Sequence, residues 1–108
     1  MVMALRTVYL LVTGKVQGVF FRQSTRRTAQ ALGLCGYVRN LASGQVEALV
    51  QGESSAVQVL ITYCSTGPER ARVDRLDQEE LSSENLHQFL TLMGVDSIGE
   101  GFSLLPDR

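Results

Sequence analysis

The residues of this 108-residue chain best suited to chemistry form one run, Gly14-Lys15-Val16-Gln17-Gly18-Val19-Phe20-Phe21-Arg22. The apolar stretch Val8 to Val12 before it reads as a strand, and Arg22 to Leu32 after it reads as a helix. A connection from a strand end to a helix start gathers backbone N–H groups that have no partner, and such groups attract anions. Two glycines let that backbone turn tightly and approach a ligand with no Cβ in the way. Arg22 adds a planar, permanently charged fork that suits phosphate or carboxylate oxygens. By themselves the same residues would also make a tight connection ending in a surface arginine. A nucleotide site is not indicated, because no Gly-Lys-Ser/Thr closes the loop and no Gly-x-Gly-x-x-Gly is present.

The elements that must hold this loop can be read in order. A first strand covers Thr7 to Thr13, and a first helix begins near Arg22 or Gln23 with Phe21, Thr25, Thr28, Ala29 and Leu32 turned inward. Gly33 sits where a left-handed residue closes a helix. Tyr37 to Leu41 is a second strand, Ala42-Ser43-Gly44-Gln45 a hairpin turn, and Val46 to Gln51 the returning strand. On that strand Val46, Ala48 and Val50 share one face, and Glu47, Leu49 and Gln51 the other. Gly52-Glu53-Ser54-Ser55 starts a second helix buried through Ala56, Val57, Leu60, Ile61 and Cys64, and Gly67-Pro68 stops it. Arg70 to Asp77 is a fourth strand whose alternation slips between Val73 and Leu76, as a bulge requires. Ser82 or Ser83 caps a short third helix with Leu86, Phe89, Leu90 and Met93 on one stripe, ended by Gly94. Phe102 to Leu105 is a final edge strand.

Strand, helix, strand, strand, helix, strand is the order of an α+β, ferredoxin-like (split β-α-β) sandwich, an antiparallel sheet with two helices on one face. The other face of such a sheet is usually more open, which would leave Tyr9, Tyr37 or Leu49 partly exposed. The same topology brings Asn40, at the end of the second strand, to the end of the sheet where the loop lies. An asparagine amide can hold a water in line with a bound phosphoryl group but cannot deprotonate it. A turn-forming asparagine at a strand end is the plainer alternative.

Charge is unevenly placed although the formal net value is only −1. Arg6, Lys15, Arg22, Arg26, Arg27 and Arg39 all precede Glu47, and every one of the 11 acidic residues lies from Glu47 onward. The basic half contains the candidate anion loop, so it can steer a small anion there. A solvated helix face would account for Arg26 and Arg27 equally well. The apolar runs are far short of a membrane span, and Met1 to Arg6 lacks a signal-peptide pattern, so a cytoplasmic protein is expected. Cys35 and Cys64 have no metal or redox spacing and are expected to be buried thiols. His87 is the only histidine and is expected at the surface, which leaves no metal site and no Ser–His–Asp arrangement.

With these residues in view, the chain resembles the acylphosphatase family. The resemblance is carried by the loop motif through Arg22, by Gly36-Tyr37-Val38-Arg39-Asn40, by Ser43-Gly44-Gln45-Val46-Glu47, by Val50-Gln51-Gly52, and by Gly67-Pro68 followed by Ala71 and Val73. It runs from about Val8 to Asp77. It implies a cofactor-free hydrolase of carboxyl-phosphate anhydrides, with Arg22 binding phosphate, Asn40 positioning water, and Lys15, Val16, Gln17, Gly18 and Val19 forming the backbone cradle. It also implies one acylphosphatase-like domain over residues 1–108, acting as a monomer on a small acyl phosphate, with no nucleic-acid or membrane partner. The chain departs from the family at residues 78–100, an atypical acidic insertion before the last strand. Two other readings use the same fold. One is a sensor that binds an acyl phosphate without turning it over. The other is an RNA-binding domain, which would need exposed aromatics on strands such as Val46 to Val50, where none occurs.

Overall fold

The computed structural model describes residues 5–95, 98 and 101–108. Residues 1–4, and with them most of the stretch read for a signal peptide, lie outside the described residues, as do Asp96 and Glu100 of the stretch 78–100 expected to be an insertion. The chain runs β1 (Leu5–Lys15), α1 (Phe21–Ala31), β2 (Cys35–Asn40), β3 (Val46–Glu53), α2 (Ser54–Thr66), β4 (Arg72–Glu80), α3 (Ser83–Met93) and β5 (Phe102–Leu104). The strands lie in the order β4-β1-β3-β2-β5. The β1–β3, β1–β4 and β2–β3 pairs are antiparallel, which gives the expected split β-α-β core. β5 runs parallel to β2, so the sheet as a whole is mixed rather than antiparallel. The cause is the path of the chain: Gly101 meets Gly36 at the start of β2, so β5 must follow β2 in its own direction.

Alternation along the central strands sorts side chains onto two faces. Val8, Leu10 and Val12 of β1, Val38 of β2, and Val46, Ala48 and Val50 of β3 form one core with Phe21, Ala29, Val57, Leu60, Ile61 and Cys64 from α1 and α2. The bulge expected in β4 is present. Thr13 pairs with Arg75 and Gly14 with Val73, leaving Asp74 as the extra residue. Gly14 is required there, since at φ 141° a Cβ would lie 2.1 Å from the carbonyl oxygen of Arg72.

The opposite face differs from the expectation that it is open. Tyr37 and Leu49 are buried, and Tyr9 is partly covered, beneath Leu86, Phe89 and Leu90 of α3. The apolar stripe of α3 therefore covers the second face of the sheet. Tyr9 and Phe89 meet ring to ring at 4.8 Å, tilted by 60°. Ser82 and Asn85 exchange side chain-to-backbone hydrogen bonds in a capping box, and Gly94 closes the helix at φ 72°. Met93 is half-buried, less enclosed than its place on the stripe suggests, and His87 is exposed.

Charged residues are buried on this face, and they are paired. Glu47, 1% exposed, accepts from Tyr9 (2.7 Å), Tyr37 (3.2 Å) and Arg39 Nε. Arg39 then donates to the Met93 carbonyl at the end of α3 (2.8 Å) and lies 5.2 Å over the Tyr37 ring. Burial, with the Glu47 carboxylate alongside, pushes the Tyr9 and Tyr37 hydroxyls well above the ordinary tyrosine range.

Candidate active site

One cleft of about 290 Å³ opens where β1 ends, and it is lined by Val16, Gly18, Phe20, Phe21, Arg22, Gln23 and Asn40. The strand–loop–helix unit brings Arg22 there, and the β2 register brings Asn40, whose partner Val46 starts the returning strand. The two are well separated in sequence, yet they share one small enclosure.

Helix termini decide where anions can bind. Glu53 caps α2 through the Ala56 N–H, and Ser82 caps α3 through the Asn85 N–H. The start of α1 has no side-chain cap and no acidic residue in its first turn. Its free N–H groups and the positive end of its dipole are left facing the loop. The backbone N–H groups of Gln17, Gly18, Val19 and Phe20 donate to no acceptor among the described residues. Unpaired donors in succession beside a helix start can hold an anion, and Gly18 and Phe20 of this run line the cleft.

The expected site residues divide by what they face. Val16, Gly18, Arg22 and Asn40 line the cleft. Val16 and Val19 bury their side chains in the core and fix the loop from beneath, so only their backbone is available to a ligand. Gln17 turns its amide to the hairpin, donating to the carbonyls of Leu41 (2.8 Å) and Gln45 (3.0 Å). It ties the loop to the strand end that carries Asn40. Lys15 is exposed at the end of β1, paired in register with Arg72 and outside the cleft lining.

Asn40 is 9% exposed, and its Oδ1 is buried with no hydrogen-bond partner among the described residues. An orphaned buried acceptor is costly unless a water or ligand meets it. Arg22 is more open, its side chain 36% exposed, and it donates to Asp107 Oδ1 at 3.0 Å. Asp107 is held by the C-terminal segment. The Arg108 N–H donates to the Asn40 carbonyl (2.9 Å), and the Ala42 N–H to the Arg108 carbonyl (2.6 Å). The Arg108 guanidinium donates in turn to the carbonyls of Leu92 and Met93 at the end of α3.

Sequence reasoning did not place Phe20, Phe21, Gln23 or Asp107 at the site. Phe20 is legible as a large aromatic beside a glycine turn, but no periodicity marks its direction. Asp107 lies 85 positions from Arg22, and no local pattern connects them. Cys64 is buried as expected, its thiol pushed by burial up to about 12, whereas Cys35 is only half-buried.

A split β-α-β domain that puts an uncapped helix start, a permanent cation and an orphaned amide acceptor at one cleft is suited to a small anion. Comparison narrows the class. The family model described as Acylphosphatase matches residues 8–91. An acylphosphatase of Rubrobacter xylanophilus is 51% identical over 75 residues, 69% of this chain and 68% of that one. One of Thiobacillus denitrificans is 46% identical over 80 residues, 74% of this chain and 90% of that one. The solved structure of an acylphosphatase from Coxiella burnetii superposes with a TM-score of 0.76 at 33% identity, covering 94% of this chain and 93% of that one. The chain belongs to the acylphosphatase family, enzymes that hydrolyse acyl phosphates.

Proposed function

We propose that this chain cleaves the carboxyl–phosphate anhydride bond of small acyl phosphates, with Arg22 and the loop backbone donors from Gln17 to Phe20 holding the phosphoryl oxygens and Asn40 holding the attacking water. The observation that carries this reading is the orphaned Asn40 Oδ1 in the cleft that Arg22 lines. A water donating to that oxygen has its own lone pair free for phosphorus. As the new O–P bond forms, the bridging O–P bond breaks and its electron pair leaves on the carboxylate. The proton of the water passes to the product phosphate or to solvent.

A carboxylate is a good leaving group, so no strong general acid is needed. The transition state is loose, and positioning with charge stabilisation supplies most of the catalysis. Backbone donors and one guanidinium provide both, without a metal or cofactor. We read the chain as one domain, with 78–100 as its atypical insertion, acting as a cytoplasmic monomer. No helix among the described residues is long and apolar enough to cross a membrane. An RNA platform finds no support, because Tyr9 and Tyr37 lie under α3 instead of facing solvent.

The test is turnover of acetyl phosphate in excess EDTA by the wild type and by Asn40→Ala. The expected result is metal-independent hydrolysis, with kcat reduced roughly 10²-fold in Asn40→Ala and inhibition by inorganic phosphate nearly unchanged. Phosphate binding without turnover in the wild type would make the protein a sensor. An Asn40→Ala enzyme with normal kcat would remove the water-positioning role.

A further inference from the structure

Phe20 and Phe21 are adjacent, but the structure treats them in opposite ways. Phe21 is 2% exposed and sits in the main core. Phe20 lines the cleft beside Arg22 and Asn40 yet is 73% exposed, which places its ring at the rim. Its backbone is left-handed (φ 62°, ψ 22°), and it is the one non-glycine residue with positive φ among the described residues. That conformation costs roughly 1–2 kcal/mol for a residue with a Cβ, and an exposed ring returns little of this through burial. Two positions earlier the loop meets the same backbone demand with Gly18, at φ 75° and with open space around it. A glycine would serve the turn at position 20 as well. Folding therefore does not account for the ring, and residues held in costly conformations gather at functional sites.

The chemistry of the proposed substrate suggests what the ring is for. An acyl phosphate has a charged half and an acyl half. The charged half takes Arg22 and the backbone donors. The acyl substituent has to extend toward the open side of the cleft. The other apolar side chains of the lining, Val16 and Phe21, are buried, so Phe20 is the lining's exposed apolar surface.

We propose that Phe20 is a specificity-determining residue for the acyl group, its ring forming a platform that favours aromatic and bulky apolar acyl phosphates over small ones. This rests on the hydrolase reading of the cleft, so the test has one arm that uses turnover and one that does not. In the first, kcat/KM is measured for benzoyl and acetyl phosphate in the wild type, Phe20→Gly and Phe20→Tyr. Comparing the benzoyl-to-acetyl ratio between variants cancels the intrinsic reactivity of the two anhydrides. Phe20→Gly is expected to lower that ratio roughly two- to tenfold through the KM for benzoyl phosphate, the range of an aromatic contact. Phe20→Tyr is expected to keep the ratio. Inhibition by inorganic phosphate should stay within about twofold in Phe20→Tyr, and any change in Phe20→Gly, whose backbone N–H is one of the loop's donors, acts on both substrates alike and cancels in the ratio. Thermal stability of Phe20→Gly should be equal or higher, because the left-handed strain is relieved.

In the second arm, binding of phenylphosphonate and methylphosphonate is measured by calorimetry. The wild type is expected to prefer phenylphosphonate, and Phe20→Gly to lose that preference. A wild type that turns over neither acyl phosphate but shows the phosphonate preference would sink the hydrolase reading and leave the platform standing. An unchanged benzoyl-to-acetyl ratio in an active Phe20→Gly enzyme, or equal affinities for the two phosphonates in the wild type, would overturn the platform. Absence of both turnover and phosphonate binding would overturn both readings.

Discussion

Two arginine–carboxylate pairs involve neighbours of Asn40, Arg39 beside it in β2 and Arg22 in its cleft. Arg39–Glu47 is buried under α3, Glu47 has three donors, and Arg39 also reaches the Met93 carbonyl. Arg22–Asp107 is a single contact at the rim of the cleft, with the Asp107 side chain 66% exposed. In the first pair the Glu47 carboxylate and the Nε and Nη2 donors of Arg39 take their partners from the fold. In the second the guanidinium spends one N–H on Asp107 among the described residues, and that carboxylate is open to solvent. A buried pair fixes architecture because breaking it strands a charge away from solvent. An exposed pair contributes about 0–1 kcal/mol, which a phosphate can easily exceed.

The largest contrast is expected from removing each arginine's role in turn. Arg22→Ala should lower kcat/KM roughly 10³-fold with an unchanged melting temperature, and Arg22→Lys should recover only part of it, since a point charge cannot replace a fork. Steady-state kinetics with a thermal melt checks this, and normal kinetics in folded Arg22→Ala would remove the anchor.

Glu47→Ala should do the reverse, costing about 3–5 kcal/mol of stability by stranding Arg39, while the folded fraction loses far less activity than Arg22→Ala. Denaturant unfolding measures it, and the double change Arg39→Met with Glu47→Leu should recover most of the loss. The same network sets an alkaline limit. Tyr9 and Tyr37 hold their protons to higher pH in the native state than in the unfolded chain, so the native state binds more protons above about pH 10, the unfolded tyrosine value. Stability is therefore full below that pH and falls as pH rises beyond it.

The smallest effect sharpens the comparison most. Asp107→Asn should leave the melting temperature nearly unchanged and tighten inorganic phosphate by no more than about fivefold, as a weak competitor leaves Arg22. The gain should shrink with added salt. A tenfold loss of kcat instead would make Asp107 an orienting group for Arg22.

Much of this molecule follows from local chain chemistry. Period-two alternation in β1 and β3 is enough to set which face Val8, Leu10, Val46 and Val50 turn to the helices, because a strand has only two faces. Gly33 and Gly94 end helices for reasons confined to their own backbone, with open space around both. The loop from Gly14 to Arg22 is contiguous, so its anion chemistry is legible in the residue order alone, and the resemblance of its motif supplies roles for Arg22 and Asn40. The third helix is also legible, since Ser82, the Leu86–Met93 stripe and Gly94 are all local signals.

What that helix covers is not legible. A stripe says that a helix buries one face, but the partner is chosen by packing, and here it takes the sheet face expected to be open. The direction of β5 depends on where α3 returns the chain. That Glu47 is a buried network centre depends on Tyr9, Tyr37 and Arg39 converging on it across the sheet. Phe20 turning outward while Phe21 turns inward rests on one left-handed dihedral, which no composition encodes. Asp107 reaches Arg22 only because hydrogen bonds lay the C-terminal segment along Asn40 and Ala42. Short-range sterics and hydrogen bonding determine the elements and the loop. Which of their surfaces meet is decided by the free energy of the whole packed chain, and that is a property of the tertiary structure alone.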